Sequence, residues 1–136
     1  MKVHELFETP ERSILSVFGK QKDPYPGNFY CRDNKLTSLL GAPSVIKGDF
    51  WGANNDLTSL AGIDKIIKEI DGWVSFERNP IKSHVLGLLR IKGLKGVYLS
   101  DEQVQNILNK HLKGDRDIIQ CQGDLLDAGL EEFAQL

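Results

Sequence analysis

The chain has 136 residues, 40% hydrophobic and 26% charged, with a formal net charge of −2. A chain of this size hides about two-thirds of its unfolded surface, so one domain with a real core is expected without a disulfide framework. The composition excludes a disordered chain, and the near-neutral charge gives no general pull toward nucleic acid or an anionic membrane.

Residues 1–9 predict a short helix with Val3, Leu6 and Phe7 on one face, ended at Thr9-Pro10 because proline disfavours helix in the residue before it. Glu5 interrupts the start, which lacks the apolar run of a secretory signal, and no apolar segment is long enough to span a bilayer. Cys31 and Cys121 stand far apart with no C-x-x-C pair, which fits reduced thiols in a cytoplasmic setting. Residues 12–18, with Ile14, Leu15, Val17 and Phe18, read as a strand or a short helix. Asp23-Pro24-Tyr25-Pro26 then breaks regular structure. Residues 1–26 are expected to form an N-terminal cap, since the first unit of a stacked array would otherwise leave its apolar end wet.

A repeated phrase occupies residues 27–99. Gly27-Asn28-Phe29-Tyr30-Cys31-Arg32-Asp33-Asn34-Lys35-Leu36 lines up with Gly48-Asp49-Phe50-Trp51-Gly52-Ala53-Asn54-Asn55-Asp56-Leu57 and with Gly72-Trp73-Val74-Ser75-Phe76-Glu77-Arg78-Asn79-Pro80-Ile81. Asparagine recurs at intervals of 21 and 24 residues, within the leucine-rich-repeat range of about 20–29. The period-2 alternation predicts strands with Phe29, Phe50 and Val74 inward, and residues 94–100 predict a fourth with Val97 and Leu99 inward. Asn34, Asn55 and Asn79 fall at the turn leaving each strand, where an amide can serve backbone groups that the ladder no longer reaches.

Short apolar returns follow each turn, with one helical turn expected over 65–70 and a longer helix over 83–91, capped by Ser83. From Ser100 the period changes to that of helices. Ser100 and Gln103 fit a capping box, and Val104, Ile107, Leu108 and Leu112 make an apolar stripe that stops at Gly114. Segments from Ile118 onward and over 125–133 supply a second apolar set of Ile118, Ile119, Leu125, Leu126, Leu130 and Phe133. Residues 100–136 are therefore expected to be a C-terminal helical cap, and the whole chain a single domain.

The phrases at 27–43 and 48–60, with the downstream runs at 81–94 and 117–132, resemble small leucine-rich-repeat-like proteins of large tailed bacteriophages. The resemblance implies an α/β solenoid of about four parallel strands, and it is nearly silent about activity, because such arrays mostly bind other macromolecules. Gly52 and Phe76 stand where the family pattern often has cysteine, and the third unit is longer by three residues. Leu6-Phe7-Glu8 resembles the cleavage signal of phage capsid-maturation proteases and would place the protein in a virion.

If Phe29, Phe50, Val74 and Val97 face in, Tyr30, Trp51, Ser75 and Tyr98 form an outward row. Asn28, Asp49 and Trp73 flank it on one edge, Arg32, Ala53 and Glu77 on the other. Exposed large aromatics are enriched at binding hot spots. The expected role is a non-catalytic module that binds a protein of the bacterial host, such as a defence or regulatory factor, through Tyr30, Trp51, Trp73, Tyr98, Asn28, Asp49, Arg32 and Glu77. The competing reading is that the rings stack on one another or lie under the N-terminal cap. A virion or scaffold component is an alternative role, and an enzyme with an unrecognised site is another. His4, His84 and His111 lack metal-ligand spacing, so no cofactor or metal is expected. Asp49 and Glu77 are the one acid pair to weigh for catalysis.

Overall fold

The computed structural model describes residues 11–136. The expected helix over 1–9, His4 and the Leu6-Phe7-Glu8 triplet lie outside the described residues. Residues 11–136 form a mixed α/β structure around a four-stranded parallel sheet.

A short helix α1 (Ile14–Phe18) opens it, its first N–H groups met by a reciprocal bond pattern between Ser13 and Ser16. Ile14 is buried and Val17 packs on the core, whereas Leu15 and Phe18 keep much of their surface. Strand β1 (Phe29–Tyr30), the return strand β2 (Val45–Ile46) and β3 (Phe50–Trp51) follow. Helix α2 (Ile63–Ile66), return strand β4 (Glu69–Ile70) and β5 (Trp73–Ser75) make the next circuit. A 3-10 helix (Leu86–Arg90) leads to β6 (Gly96–Tyr98), and the chain ends in α3 (Glu102–Lys113), α4 (Ile118–Asp127) and a closing turn.

The main sheet runs β1-β3-β5-β6, in the register Phe29, Phe50, Val74, Val97 along one row and Tyr30, Trp51, Ser75, Tyr98 along the next. The first row is buried, as the alternation predicts. The rings of Phe29 and Phe50 lie 5.5 Å apart, and those of Phe50 and Phe76 5.6 Å. Full burial of each such side chain contributes about 1.5–3 kcal/mol, so this spine and the buried leucines and isoleucines of the returns hold successive circuits together.

The asparagines bind the turns. Asn55 Oδ1 accepts from the N–H groups of Asn34 and Leu36, and its Nδ2 donates to the carbonyls of Cys31 and Gly52. Asn79 repeats this one circuit on, accepting from Leu57 and donating to Gly52 and Phe76. Each amide thus satisfies buried backbone groups of its own turn and the one before it.

Gly52 and Phe76, the departures from the cysteine pattern, compensate each other. A Cβ on Gly52 would sit 2.8 Å from the Phe50 ring and 3.2 Å from that of Phe76. The larger ring at 76 fills the space that a side chain at 52 would need.

Four expectations about local structure are corrected. The helical turn expected over 65–70 is α2, which starts two residues earlier and ends four residues sooner, because Glu69 and Ile70 pair with β2 in a second parallel ladder. Ser83 does not cap a helix over 83–91: it bridges Ser59, His84 is left-handed at φ 58°, and the helical part is the 3-10 helix alone. His84 and Val85 direct their N–H groups to the carbonyls of Glu132 and Phe133, so the end of the chain holds them out of a helix. Asp101 caps α3 in place of Ser100, whose hydroxyl accepts from the Arg78 N–H. There is no final helix over 125–133; α4 ends at Asp127 and the chain turns through left-handed Gly129. Leu125 is buried, while Ile119 at 68% exposure and Leu126 at 48% face outward.

The C-terminal unit closes the edge of β6. Asn109 on α3 accepts from the Val97 N–H at 2.8 Å and donates to the Val97 carbonyl at 3.0 Å, and Gln105 accepts from the Leu99 N–H. The guanidinium of Arg116 donates to the carbonyls of Ile91 and Leu94 and anchors the same unit to the preceding loop. Among the described residues no helix is long and apolar enough to cross a membrane.

Candidate functional site

The outer face of the main sheet carries the aromatic row. Tyr30 is 60% exposed and Tyr98 38%, and Trp51 between them is half-buried. Ser75 departs from the expected exposed row: it points outward in register but keeps only 4% of its surface. Trp51 and Tyr98 flank it in the register, and a side chain of one hydroxymethyl group lies below the level of two large rings. Trp73, one step along β5, stacks on Tyr98 with centroids 5.0 Å apart and 25° between planes. Gly96 permits this, since a Cβ there would overlap the Trp73 ring at 2.3 Å. Part of the row therefore covers itself, while Tyr30 and Trp51 have no ring stacked on them among the described residues.

The N-terminal edge of the row is a structural ladder. Asn28 Oδ1 accepts from the Asp49 N–H at 2.8 Å, and Asp49 Oδ1 accepts from the Trp73 N–H at 2.8 Å. Each short polar side chain extends the pairing one residue beyond its strand, so Asn28 and Asp49 are partly committed inside the protein. Asn28 also donates to the Tyr30 hydroxyl at 3.2 Å, which holds that ring against its own strand.

The opposite edge is less committed. A groove of about 230 Å³ is lined there by Arg32, Trp51, Ala53, Ser75, Glu77 and Arg78. Arg32 Nε donates to Asp33 at 3.2 Å, and most of its five donors have no partner among the described residues. Glu77 and Arg78 are exposed, and neither side chain has an ion-pair partner among the described residues. Arg78 was not singled out in the sequence. Its signal was its alignment with Asp33 and Asn54, the residue before the turn asparagine, which is left-handed in all three units, at φ 61°, 55° and 59°.

Asp49 and Glu77 are not brought together. Asp49 is level with Trp73, four residues before Glu77, or roughly 13 Å at the rise of a strand. Glycosidase carboxylates stand about 5–9.5 Å apart. Elsewhere, His111 Nε2 donates to Asp124 Oδ2 at 2.7 Å and Lys110 donates to the same oxygen at 3.2 Å, tying α3 to α4. Those bonds, the imidazole's first, hold the Asp124 carboxyl below its ordinary value of 3.8. Cys121 lies buried nearby, its thiol pushed up to about 11 by burial and by Asp124, and burial lifts Cys31 to about 12. Both shifts favour the thiol over the nucleophilic thiolate. A second cavity of about 190 Å³, away from the aromatic face, includes Asp64, His84 and Arg90, with Asp64 and Arg90 already paired at 3.7 Å. Among the described residues no three His, Cys, Asp or Glu side chains converge on a metal position.

No family model matches the chain, and no curated protein and no solved structure matches it.

Proposed function

We propose that the chain is a short leucine-rich-repeat-like solenoid, of the kind encoded by large tailed bacteriophages, that binds a protein of the bacterial host in the host cytoplasm. In this reading it is not an enzyme, and the partner seats on the outer sheet face. Support for the solenoid comes from the 21- and 24-residue spacing, the shared parallel register and the asparagines that join one turn to the next. The observation that carries the binding role is the exposure of Tyr30, 60% open, beside half-buried Trp51 on the outer row of the sheet. Aromatic rings on a flat, rigid support lose little conformational freedom when a partner covers them.

The test is recovery of partners from host lysate by the wild type and by a Tyr30→Ala, Trp51→Ala, Tyr98→Ala variant. These side chains lie on the outer row, so the variant should keep the fold by circular dichroism. A protein held by the wild type and released by the folded variant is expected; equal recovery by both removes the aromatic face from the interaction.

A further inference from the structure

We infer that the groove between Arg32 and Arg78 is a receptor for a single carboxylate, presented by an aspartate or glutamate side chain of the protein partner. The inference rests on the protein-binding reading above and names the chemistry of its central contact. Three observations meet in the groove.

The first is a hydroxyl-bearing residue in the groove wall. Ser75 is 96% buried and lines the groove between Trp51 and Glu77. The surface that Ser75 keeps opens into the groove, where its hydroxyl can donate to a ligand oxygen. The second is charge. Arg78 has no ion-pair partner among the described residues, Arg32 gives one donor to Asp33, and Glu77 stands beside them. Asp33 already neutralises Arg32, so the guanidinium donors left over, chiefly on Arg78, suit a monoanion, while a phosphate dianion would bring its second charge against Glu77 and Asp33. Planar guanidinium forks match a carboxylate in two parallel hydrogen bonds. The third is shape. Trp51 walls one side and Ala53 leaves room beside it, and a volume of about 230 Å³ admits a side chain and its backbone attachment but not a folded element.

The backbone at Arg78 agrees with this assignment. Asn54 and Asp33 hold the same left-handed position in the other units, and both are residue types that tolerate it. An arginine there is strained, which is common where a side chain serves recognition.

The experiment uses the whole chain and three probes: N-acetylglutamate methylamide, its glutamine counterpart and inorganic phosphate. Amide and indole N–H resonances are followed by NMR during titration of the wild type, Arg78→Asn and, as a distant control, Arg90→Asn. Asparagine suits the left-handed position, so Arg78→Asn keeps the fold while removing the guanidinium. Saturable shifts confined to Trp51, Ser75 and residues 77–78 are expected with the glutamate probe, with binding about tenfold weaker for glutamine and for Arg78→Asn, the scale of one lost charge-assisted pair. Arg90→Asn should match the wild type. Equal binding of glutamate and glutamine, stronger binding of phosphate, or an unchanged titration in Arg78→Asn would each overturn the inference. A host protein that the triple aromatic variant releases but Arg78→Asn retains at full strength would sink the carboxylate contact and leave the binding face standing.

Discussion

Asn109 pairs with Val97 as another strand would, its side-chain amide accepting from the N–H and donating to the carbonyl of the same residue. An outermost strand normally presents such groups to other chains, and here one side chain of α3 occupies them. Asn109→Ala should therefore cost about 1–3 kcal/mol, the range for leaving a part-buried pair unsatisfied. Urea denaturation measures the loss, and amide exchange at Val97 should quicken more than exchange at Val74. An unchanged midpoint would mean that water replaces the amide without penalty.

Gly52 and Phe76 should behave as one packing unit. Gly52→Ala places a methyl within 2.8 Å of Phe50 and 3.2 Å of Phe76, so a loss of about 1–3 kcal/mol is expected for overpacking. Phe76→Leu alone should also destabilise, by leaving space. The double variant should lose less than the sum of the two, and a thermal-denaturation cycle reads the difference. Strict additivity would show that the two sites do not share one space.

Arg78→Asn is expected to stabilise the protein. A non-glycine residue in the left-handed region costs about 1–2 kcal/mol, and asparagine relieves much of it. The gain should be about 1 kcal/mol by chemical denaturation, alongside the loss of carboxylate binding. Stability gained with recognition lost would be the signature of strain retained for function.

Acid should loosen the contact between α3 and α4. The folded pKa of Asp124 lies below its ordinary value of 3.8, first because of the His111 hydrogen bond and then that of Lys110. The folded state therefore binds fewer protons than the unfolded one in that window, and stability rises with pH there. The contribution is complete above about pH 5, where the unfolded carboxyl is ionised too, and fades as pH falls through the folded value. Asp23, held low by the Ser44 hydroxyl and N–H, acts in the same direction. Asp124→Asn should show a shallower fall in melting temperature between neutral and acid pH than the wild type, and parallel curves would refute the assignment.

Strand positions could be read because a period of two and a recurring glycine leave one consistent way to bury Phe29, Phe50, Val74 and Val97. The asparagine turns could be read because one residue type recurs where backbone groups lose their ladder. Local ends could not. Ser83 resembles a cap by its own neighbours, and only contact with residues 132–133, distant in sequence, decides otherwise. Ser100 and Asp101 are both good caps, and Ser100 was diverted by Arg78, from the previous circuit. On the candidate face, alternation gave the direction of Ser75 but not its depth, which depends on the size of the rings beside it. Arg78 escaped notice because its backbone conformation, not its residue type, marks it.

The closure of β6 also bears on how the chain could have changed length. Along the main sheet the N–H groups of Phe29, Gly52 and Phe76 point forward to the carbonyls of Asp49, Ser75 and Tyr98, and at Val97 the Asn109 side chain takes that place. Duplication of an interior unit such as residues 48–71 would present each successor with the pattern it already meets, whereas material added after Tyr98 would displace the residue that terminates the series. The Asn109 amide therefore stands where a further parallel strand would have to begin.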